Sequence, residues 1–137
     1  MKALYVDSSA VAKLITRESE SVALRDFILG DNPWQGPVSL VSSRLTSVEV
    51  WRMAQRIGPH LLQTARAVVN TITMVEFSRE NSEQAARLHP VELRTLDALH
   101  LAAALRVGLD VVTYDRRMAE AAANLGLEVF APGSAGE

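Results

Sequence analysis

The chain has 137 residues, of which 48% are hydrophobic, and it carries a formal net charge of −2 with a pI near 5.9. This length fits one domain with a substantial core, and the acidic balance excludes the broad electrostatic binding of nucleic acid that basic proteins show. The absence of cysteine excludes disulfides, Fe–S clusters and cysteine-ligated zinc. The first apolar run ends at Asp7, too early for a signal peptide or a membrane span, so we expect a soluble, cytoplasmic protein.

The first half of the chain begins with an apolar run and continues with helical patterns. Residues 3–6 predict a strand, and Asp7 with two serines precedes a helix over residues 10–15. A second helix over residues 21–29 ends at Gly30, and a loop rich in glycine and proline leads to a strand over residues 38–41. Helices over residues 46–57 and 60–69, separated by Gly58 and Pro59, predict a helical hairpin.

The second half repeats the alternation of strand and helix. The predicted elements are a strand over 72–77, helices over 80–88 and 95–107, a strand over 110–113, a helix over 115–125 and a last strand over 127–130. Parallel neighbours require crossover helices, so this order predicts an α/β fold, a three-layer sandwich with a mainly parallel central sheet. We expect a single domain over residues 1–131 and a flexible tail over residues 132–137.

Four acidic residues lie among apolar neighbours at predicted element boundaries or on helix faces: Asp7, Glu49, Asp97 and Asp115. Bare carboxylates are costly to bury, so a fold that gathers them must protonate them or supply a cation. Oxygen ligands without cysteine or a paired histidine motif favour Mg²⁺ or Mn²⁺, which commonly serve phosphoryl chemistry. Asp7 and Asp115 follow predicted strands, at the sheet edge where doubly wound folds bind ligands.

Each acid alone also has a purely structural interpretation. Asp7 and Asp115 are favoured helix N-cap residues, and Asp97 is a first-turn acid that the helix dipole stabilises. Thr46 and Glu49 match the spacing of a capping box, which requires no chemistry. Only the four acids together therefore indicate a site.

Several neighbours of the acids have two interpretations. Thr113 adds a hydroxyl that can hold water or phosphate, and His100 either orients Asp97 from the same helix face or is a satisfied core residue. Arg116 and Arg117 either contact phosphate or form a solvated helix start. An apolar stripe in the early helices is either core or a partner surface; it comprises Val22, Leu24, Phe27, Ile28, Val50, Trp51 and Met53.

Four segments, read in order, resemble the PIN-domain family and, within it, VapC-type toxins. The segments are residues 5–9, 46–49, 93–102 and 112–117, each containing one of the four acids. The resemblance spans nearly the entire chain. The segment around Asp97, with the correctly ordered flanking acids, makes it more specific than any single motif.

This resemblance implies a metal-dependent endoribonuclease from a toxin–antitoxin pair. It implies that Asp7, Glu49, Asp97 and Asp115 are the catalytic acids that hold one or two Mg²⁺ or Mn²⁺ ions, with Thr113, Ser8 and Ser9 as supporting residues. It also implies an RNA substrate, a homodimer and a cognate VapB-type antitoxin that covers the acidic groove.

Other functions remain open at the level of sequence. A PIN nuclease that acts in RNA processing or on DNA has the same acids, and so has a PIN fold that serves only as an interaction module. A phosphorelay receiver also clusters acids with Mg²⁺ at a sheet edge. However, it needs adjacent acids after the first strand and a lysine near a late strand, whereas Asp7 is followed by Ser8 and no lysine follows Lys13.

Overall fold

The computed structural model describes residues 1–134, and its strands form one parallel sheet. The strands are β1 (Lys2–Val6), β2 (Val38–Ser43), β3 (Thr73–Val75), β4 (Val111–Val112) and β5 (Val129–Phe130), in the spatial order β3-β2-β1-β4-β5. All neighbouring pairs are parallel, which confirms the predicted α/β fold with its parallel central sheet.

Helices connect these strands. They are α1 (Ser8–Ile15), α2 (Ser21–Leu29), α3 (Arg44–Ile57), α4 (Leu62–Asn70), α5 (Arg79–Arg87), α6 (Thr95–Val107) and α7 (Arg116–Asn124), and a 3₁₀ turn at Pro59–Leu61 precedes α4. Gly108 closes α6 in the left-handed conformation, at φ 69°, as expected for a C-terminal glycine cap. Helices α2 and α6 have the predicted boundaries, whereas β3, β4 and β5 are shorter than the apolar runs that predicted them.

Alternation along β1 divides the molecule into three layers. Leu4 and Val6 pack into a cluster with residues of α1 to α4, whereas Tyr5 points to the opposite face, into a cluster with residues of α6 and α7. Both faces of β1 are therefore covered, as a parallel sheet requires.

The apolar stripe of the early helices belongs mainly to the first of these clusters. Three members are buried: Leu24, Phe27 and Val50. Three others are partly buried and pack against this cluster: Ile28, Trp51 and Met53. Val22 is the exception, with 65% of its surface exposed. The stripe is core for all its members except Val22.

The chain adds β2 and β3 on one side of β1, then reverses and adds β4 and β5 on the other side. Tyr5 pairs with Val111 and Val6 with Val112, so Asp7 and Thr113 leave the sheet side by side. This reversal is where parallel α/β sheets open a ligand crevice.

Within residues 1–134, no helix is long and apolar enough to span a membrane. Residues 135–137 of the predicted tail lie outside the described residues. The single-domain boundary at residue 131 remains a prediction.

Candidate active site

Asp7 lies at the end of β1 and is only 3% exposed. Its Oδ2 accepts a hydrogen bond of 2.7 Å from Thr113, and its Oδ1 accepts bonds from the Ser9 hydroxyl at 2.7 Å and the Ala10 backbone N–H at 3.2 Å. Burial raises the pKa of Asp7, while the bonds from Thr113 and Ser9 oppose that rise. The N-cap interpretation is confirmed, and the protein supplies donors to both carboxylate oxygens.

Ser9 and Thr113 connect the start of α1 to the turn between β4 and α7. Their hydroxyl oxygens lie 3.3 Å apart, and the Ser9 Oγ accepts the backbone N–H of Tyr114 at 2.9 Å. The Thr113 hydroxyl accepts the backbone N–H of Asp115 at 3.1 Å. Ser8 instead faces a groove that Glu49 also lines.

Asp97 lies in the first turn of α6, as predicted. Within residues 1–134, its buried Oδ2 has no hydrogen-bond partner. Burial raises the pKa of Asp97, and the charges of Asp115 and Asp7 raise it further, while His100 and Arg94 oppose them. The fold therefore brings Asp97 into the electrostatic range of Asp7 and Asp115, and leaves one of its oxygens unsatisfied.

Asp115 caps the N-terminus of α7. Its Oδ1 accepts the backbone N–H groups of Arg117 at 2.9 Å and Met118 at 3.1 Å, which confirms the N-cap interpretation. Capping fixes the position of this carboxylate beside Asp97.

The capping-box interpretation of Glu49 is wrong. Helix α3 begins at Arg44 with Ser43 as its N-cap, so Thr46 is already inside the helix and its hydroxyl contacts the hydroxyl of Ser42 at 2.7 Å. Strand β2 runs directly into α3, which displaces the helix start by two residues from the predicted one. The Glu49 side chain, 27% exposed, is therefore available for other contacts.

His100 holds Glu49 and not Asp97. Its Nε2 lies 2.7 Å from Oε1 of Glu49, and its Nδ1 lies 2.8 Å from the Tyr5 hydroxyl, which in turn lies 3.0 Å from Oγ of Ser43. In the tautomer that carries its proton on Nε2, His100 donates this bond to the Glu49 carboxylate. Nothing in the sequence indicated that Tyr5, a buried strand residue 95 positions from His100, would form a hydrogen bond with it.

Comparisons with known proteins identify the family. The profile of the PIN domain matches residues 4–124, a range that includes all four acids. The chain belongs to the PIN domain family. Among curated relatives, ribonuclease VapC46 of Mycobacterium tuberculosis is 41% identical over 135 residues, covering 96% of this chain and 99% of the relative. Ribonuclease VapC35 of the same organism is 36% identical over 137 residues, covering 96% and 98%. This PIN domain is thus of the VapC type.

Solved structures share the fold. A toxin–antitoxin complex from Klebsiella pneumoniae has a chain that superposes with a TM-score of 0.71 at 21% identity, covering 94% of this chain and 97% of that chain. VapC20 of M. tuberculosis, described as a sarcin-ricin loop cleaving toxin, gives a TM-score of 0.68 at 20% identity, covering 86% and 94%. At these identities the likeness shows the fold alone.

The acids of this PIN domain offer a donor set that fits Mg²⁺ or Mn²⁺. All four provide oxygen, and Oδ2 of Asp97, which has no hydrogen-bond partner within residues 1–134, lies in the electrostatic range of two further carboxylates. In the described part of the chain, no three acidic or histidine side chains lie close enough to hold an ion by themselves. An ion held here would therefore complete its coordination with water, as Mg²⁺ does in proteins.

A groove of about 510 Å³ opens beside Glu49. Its lining combines the Ser8 and Ser9 end of α1 with Arg52 and Arg56 of α3. The basic side chains give this side of the acidic site a positive border.

Proposed function

We propose that this PIN domain is a metal-dependent endoribonuclease, the toxin of a VapBC-type toxin–antitoxin pair. The observation that carries the proposal is the buried Oδ2 of Asp97, which has no hydrogen-bond partner within residues 1–134 and lies near Asp115 and Asp7. A bound cation would stabilise carboxylates in such a position in their ionised form. The ribonuclease names of the curated relatives supply the reaction.

Asp7, Asp97, Asp115 and Glu49 are the residues that would hold Mg²⁺ or Mn²⁺. When bound, such an ion stabilises the charge that develops on the RNA phosphate and lowers the pKa of the attacking water. This assignment extends to Glu49 because its carboxylate is fixed by His100 and faces the same groove as Ser8 and Ser9.

The remaining residues of the site keep the acids in place. Thr113 and Ser9 hold Asp7, backbone N–H groups of α7 hold Asp115, and His100 holds Glu49. Preorganised acceptors need not reorganise during the reaction, which is how fixed polar groups lower a barrier. The phosphodiester would enter from the groove beside Glu49, where Arg52 and Arg56 offer bidentate contacts to phosphate.

The proposal includes two protein partners, a VapB-type antitoxin and a second copy of this chain. The K. pneumoniae neighbour, itself a toxin–antitoxin complex, supports the antitoxin. The exposed apolar residues Val48, 53% exposed, and Leu96, 46% exposed, line the groove beside Glu49 and suit a protein contact.

The test is RNA cleavage by purified protein with Mg²⁺ or Mn²⁺, with EDTA, and by the variant Asp97→Asn. We expect cleavage only with metal, and a loss on the order of 10³-fold in the variant, because several kcal/mol of charge stabilisation disappear. The exposed residue Asp31 provides the matched control Asp31→Asn, which should cleave like the wild type. Equal cleavage by folded Asp97→Asn protein would contradict the proposal.

A further inference from the structure

A second pocket, of about 360 Å³, opens on the other side of the first turn of α6. The loop before α6 and one face of α7 line it, with side chains that include Leu93, Arg94, Arg117, Glu120, Ala121 and Asn124. Its volume is at the lower end of the range for ligand pockets, about 300–1,000 Å³. None of the four acids lines it.

The pocket is nevertheless adjacent to two of the acids. Arg94 is the N-cap of α6, and its charge acts directly on Asp97. Arg117 lies in the first turn of α7, and its backbone N–H donates to Oδ1 of Asp115. Arg94 and Arg117 thus join this pocket to the part of the site that holds Asp97 and Asp115.

The face that α7 presents to the pocket is a regular stripe. Arg117, Glu120, Ala121 and Asn124 have the spacing i, i+3, i+4 and i+7, which places them along one side of a helix. The stripe offers a cation nearest the acids, then a carboxylate and an amide farther away, with alanine between them. Leu93 adds an apolar wall opposite.

The two arginines of the pocket are accessible and form no ion pair within residues 1–134. In the described part of the chain, the arginines that form ion pairs are Arg44, Arg79 and Arg106. Arg94 and Arg117 are both exposed and are not among them. Guanidinium groups contact phosphate through two parallel hydrogen bonds, so a pair of them beside a cleavage site suits a flanking phosphate.

We propose that this pocket binds the nucleotide next to the scissile phosphate of single-stranded RNA, and that it prefers guanine there. Arg94 and Arg117 contact the flanking phosphate, and the base lies between Leu93 and Ala121. Glu120 only accepts hydrogen bonds when ionised, so it pairs best with a base edge that has two adjacent donors. Guanine has such an edge at N1 and N2, whereas the single N–H donor of uracil lies between two acceptors. The inference rests on the proposed ribonuclease function.

The first test maps cleavage sites in a randomised single-stranded RNA for the wild type and Glu120→Gln. We expect guanine to be enriched at one fixed position beside the cut, and we expect the enrichment to fall roughly 5- to 150-fold in the variant, the range for losing one bidentate base contact. The exposed residue Glu128 provides the control Glu128→Gln, which should keep the preference.

The second test measures RNA binding without cleavage. Fluorescence anisotropy would compare Asp97→Asn protein with the double variants Asp97→Asn/Arg117→Ala and Asp97→Asn/Arg66→Ala, using a labelled RNA that contains the preferred site. Loss of Arg117 should reduce the slope of log affinity against log salt by about 1, as expected for one phosphate contact. Arg66 is exposed on α4, away from the pocket, and its loss should leave the slope unchanged.

The outcomes separate this inference from the function on which it rests. Cleavage by the wild type with no guanine preference at a fixed position overturns the pocket assignment alone. The same holds for a preference that Glu120→Gln retains, or for a salt slope that Arg117→Ala leaves unchanged. Absence of RNA cleavage by the wild type under all metal conditions overturns both proposals.

Discussion

The end of β1 and the start of α6 each bury a carboxylate oxygen, but they treat it differently. At the end of β1, both oxygens of Asp7 receive hydrogen bonds from Thr113, Ser9 and the backbone. At the start of α6, no donor within residues 1–134 reaches Oδ2 of Asp97. Burial raises the pKa of both groups, although Asp7 is buried as a whole and Asp97 is only partly buried. Within residues 1–134, the protein supplies donors to both oxygens of Asp7 and none to Oδ2 of Asp97.

The sheet explains why the partners differ. Parallel pairing of β1 with β4 brings Thr113 beside Asp7, so one strand supplies the donor for the carboxylate of its neighbour. Helix α6 packs on the sheet from one outer layer and presents Asp97 toward two other acids. A cation, a proton or a hydrogen-bond donor would relieve that arrangement.

Removing the Thr113 hydroxyl should leave Oδ2 of Asp7 without its hydrogen bond, which is the situation of Oδ2 of Asp97 within residues 1–134. Thr113→Val keeps the shape but leaves Oδ2 of Asp7 without its donor and the backbone N–H of Asp115 without its acceptor, so we expect a loss of about 1–3 kcal/mol in the free energy of unfolding at pH 7. Urea denaturation measures it. The loss should shrink at acid pH, where Asp7 is protonated, and Thr113→Ser should restore most of it. Wild-type stability in Thr113→Val would show that the bond does not hold Asp7.

His100 contacts the carboxylate of Glu49, much as Thr113 and Ser9 contact that of Asp7. His100→Phe keeps a ring in the core but removes the donor to Glu49, and we expect Mn²⁺ binding to weaken about 10- to 100-fold, as when partners of metal ligands are removed. Isothermal titration calorimetry measures the change. Tyr5→Phe, which retains the donor to Glu49, should have a smaller effect. Equal effects of the two variants would show that the ring nitrogens of His100 do not position Glu49.

Removing the charge at the start of α6 should stabilise the protein in the absence of metal. The pKa of Asp97 is raised in the fold, so its contribution to stability is fully present below its unfolded value, about 3.9, and is lost as pH rises through the folded value. Asp97→Asn should therefore unfold at a higher temperature than the wild type at pH 7 in EDTA, with the advantage vanishing toward pH 4. Thermal unfolding followed by circular dichroism measures this difference.

The matched control for that experiment is Asp31→Asn, because Asp31 is exposed. Its unfolding temperature should follow that of the wild type at both pH values. A lower unfolding temperature for Asp97→Asn in EDTA at pH 7 would mean that its carboxylate has a stabilising partner in the fold.

The sequence was sufficient to predict the parts of the site that follow from strands. Asp7 and Asp115 come directly after apolar runs, and the carboxyl ends of parallel strands meet at one edge, so their proximity followed from the order of elements alone. Asp97 was predictable as an isolated acid in the first turn of an apolar helix.

The contacts that hold the acids could not be predicted. The chain from Ser43 through Tyr5 and His100 to Glu49 depends on how α6 packs across β1 and α3, which no local pattern records. The pattern of the sequence placed the start of α3 at Thr46, where the spacing to Glu49 matches a capping box. The helix begins earlier, at Arg44, because β2 continues into α3 without a side-chain cap that the sequence could indicate.

The central claim is that the unsatisfied oxygen of Asp97 belongs to a metal site. Isothermal titration of metal-free protein with Mn²⁺, for the wild type and Asp97→Asn, tests it most directly. We predict saturable binding by the wild type and binding at least ~10-fold weaker in the variant. Equal Mn²⁺ affinity in the two proteins, or no binding by folded wild-type protein, would contradict it.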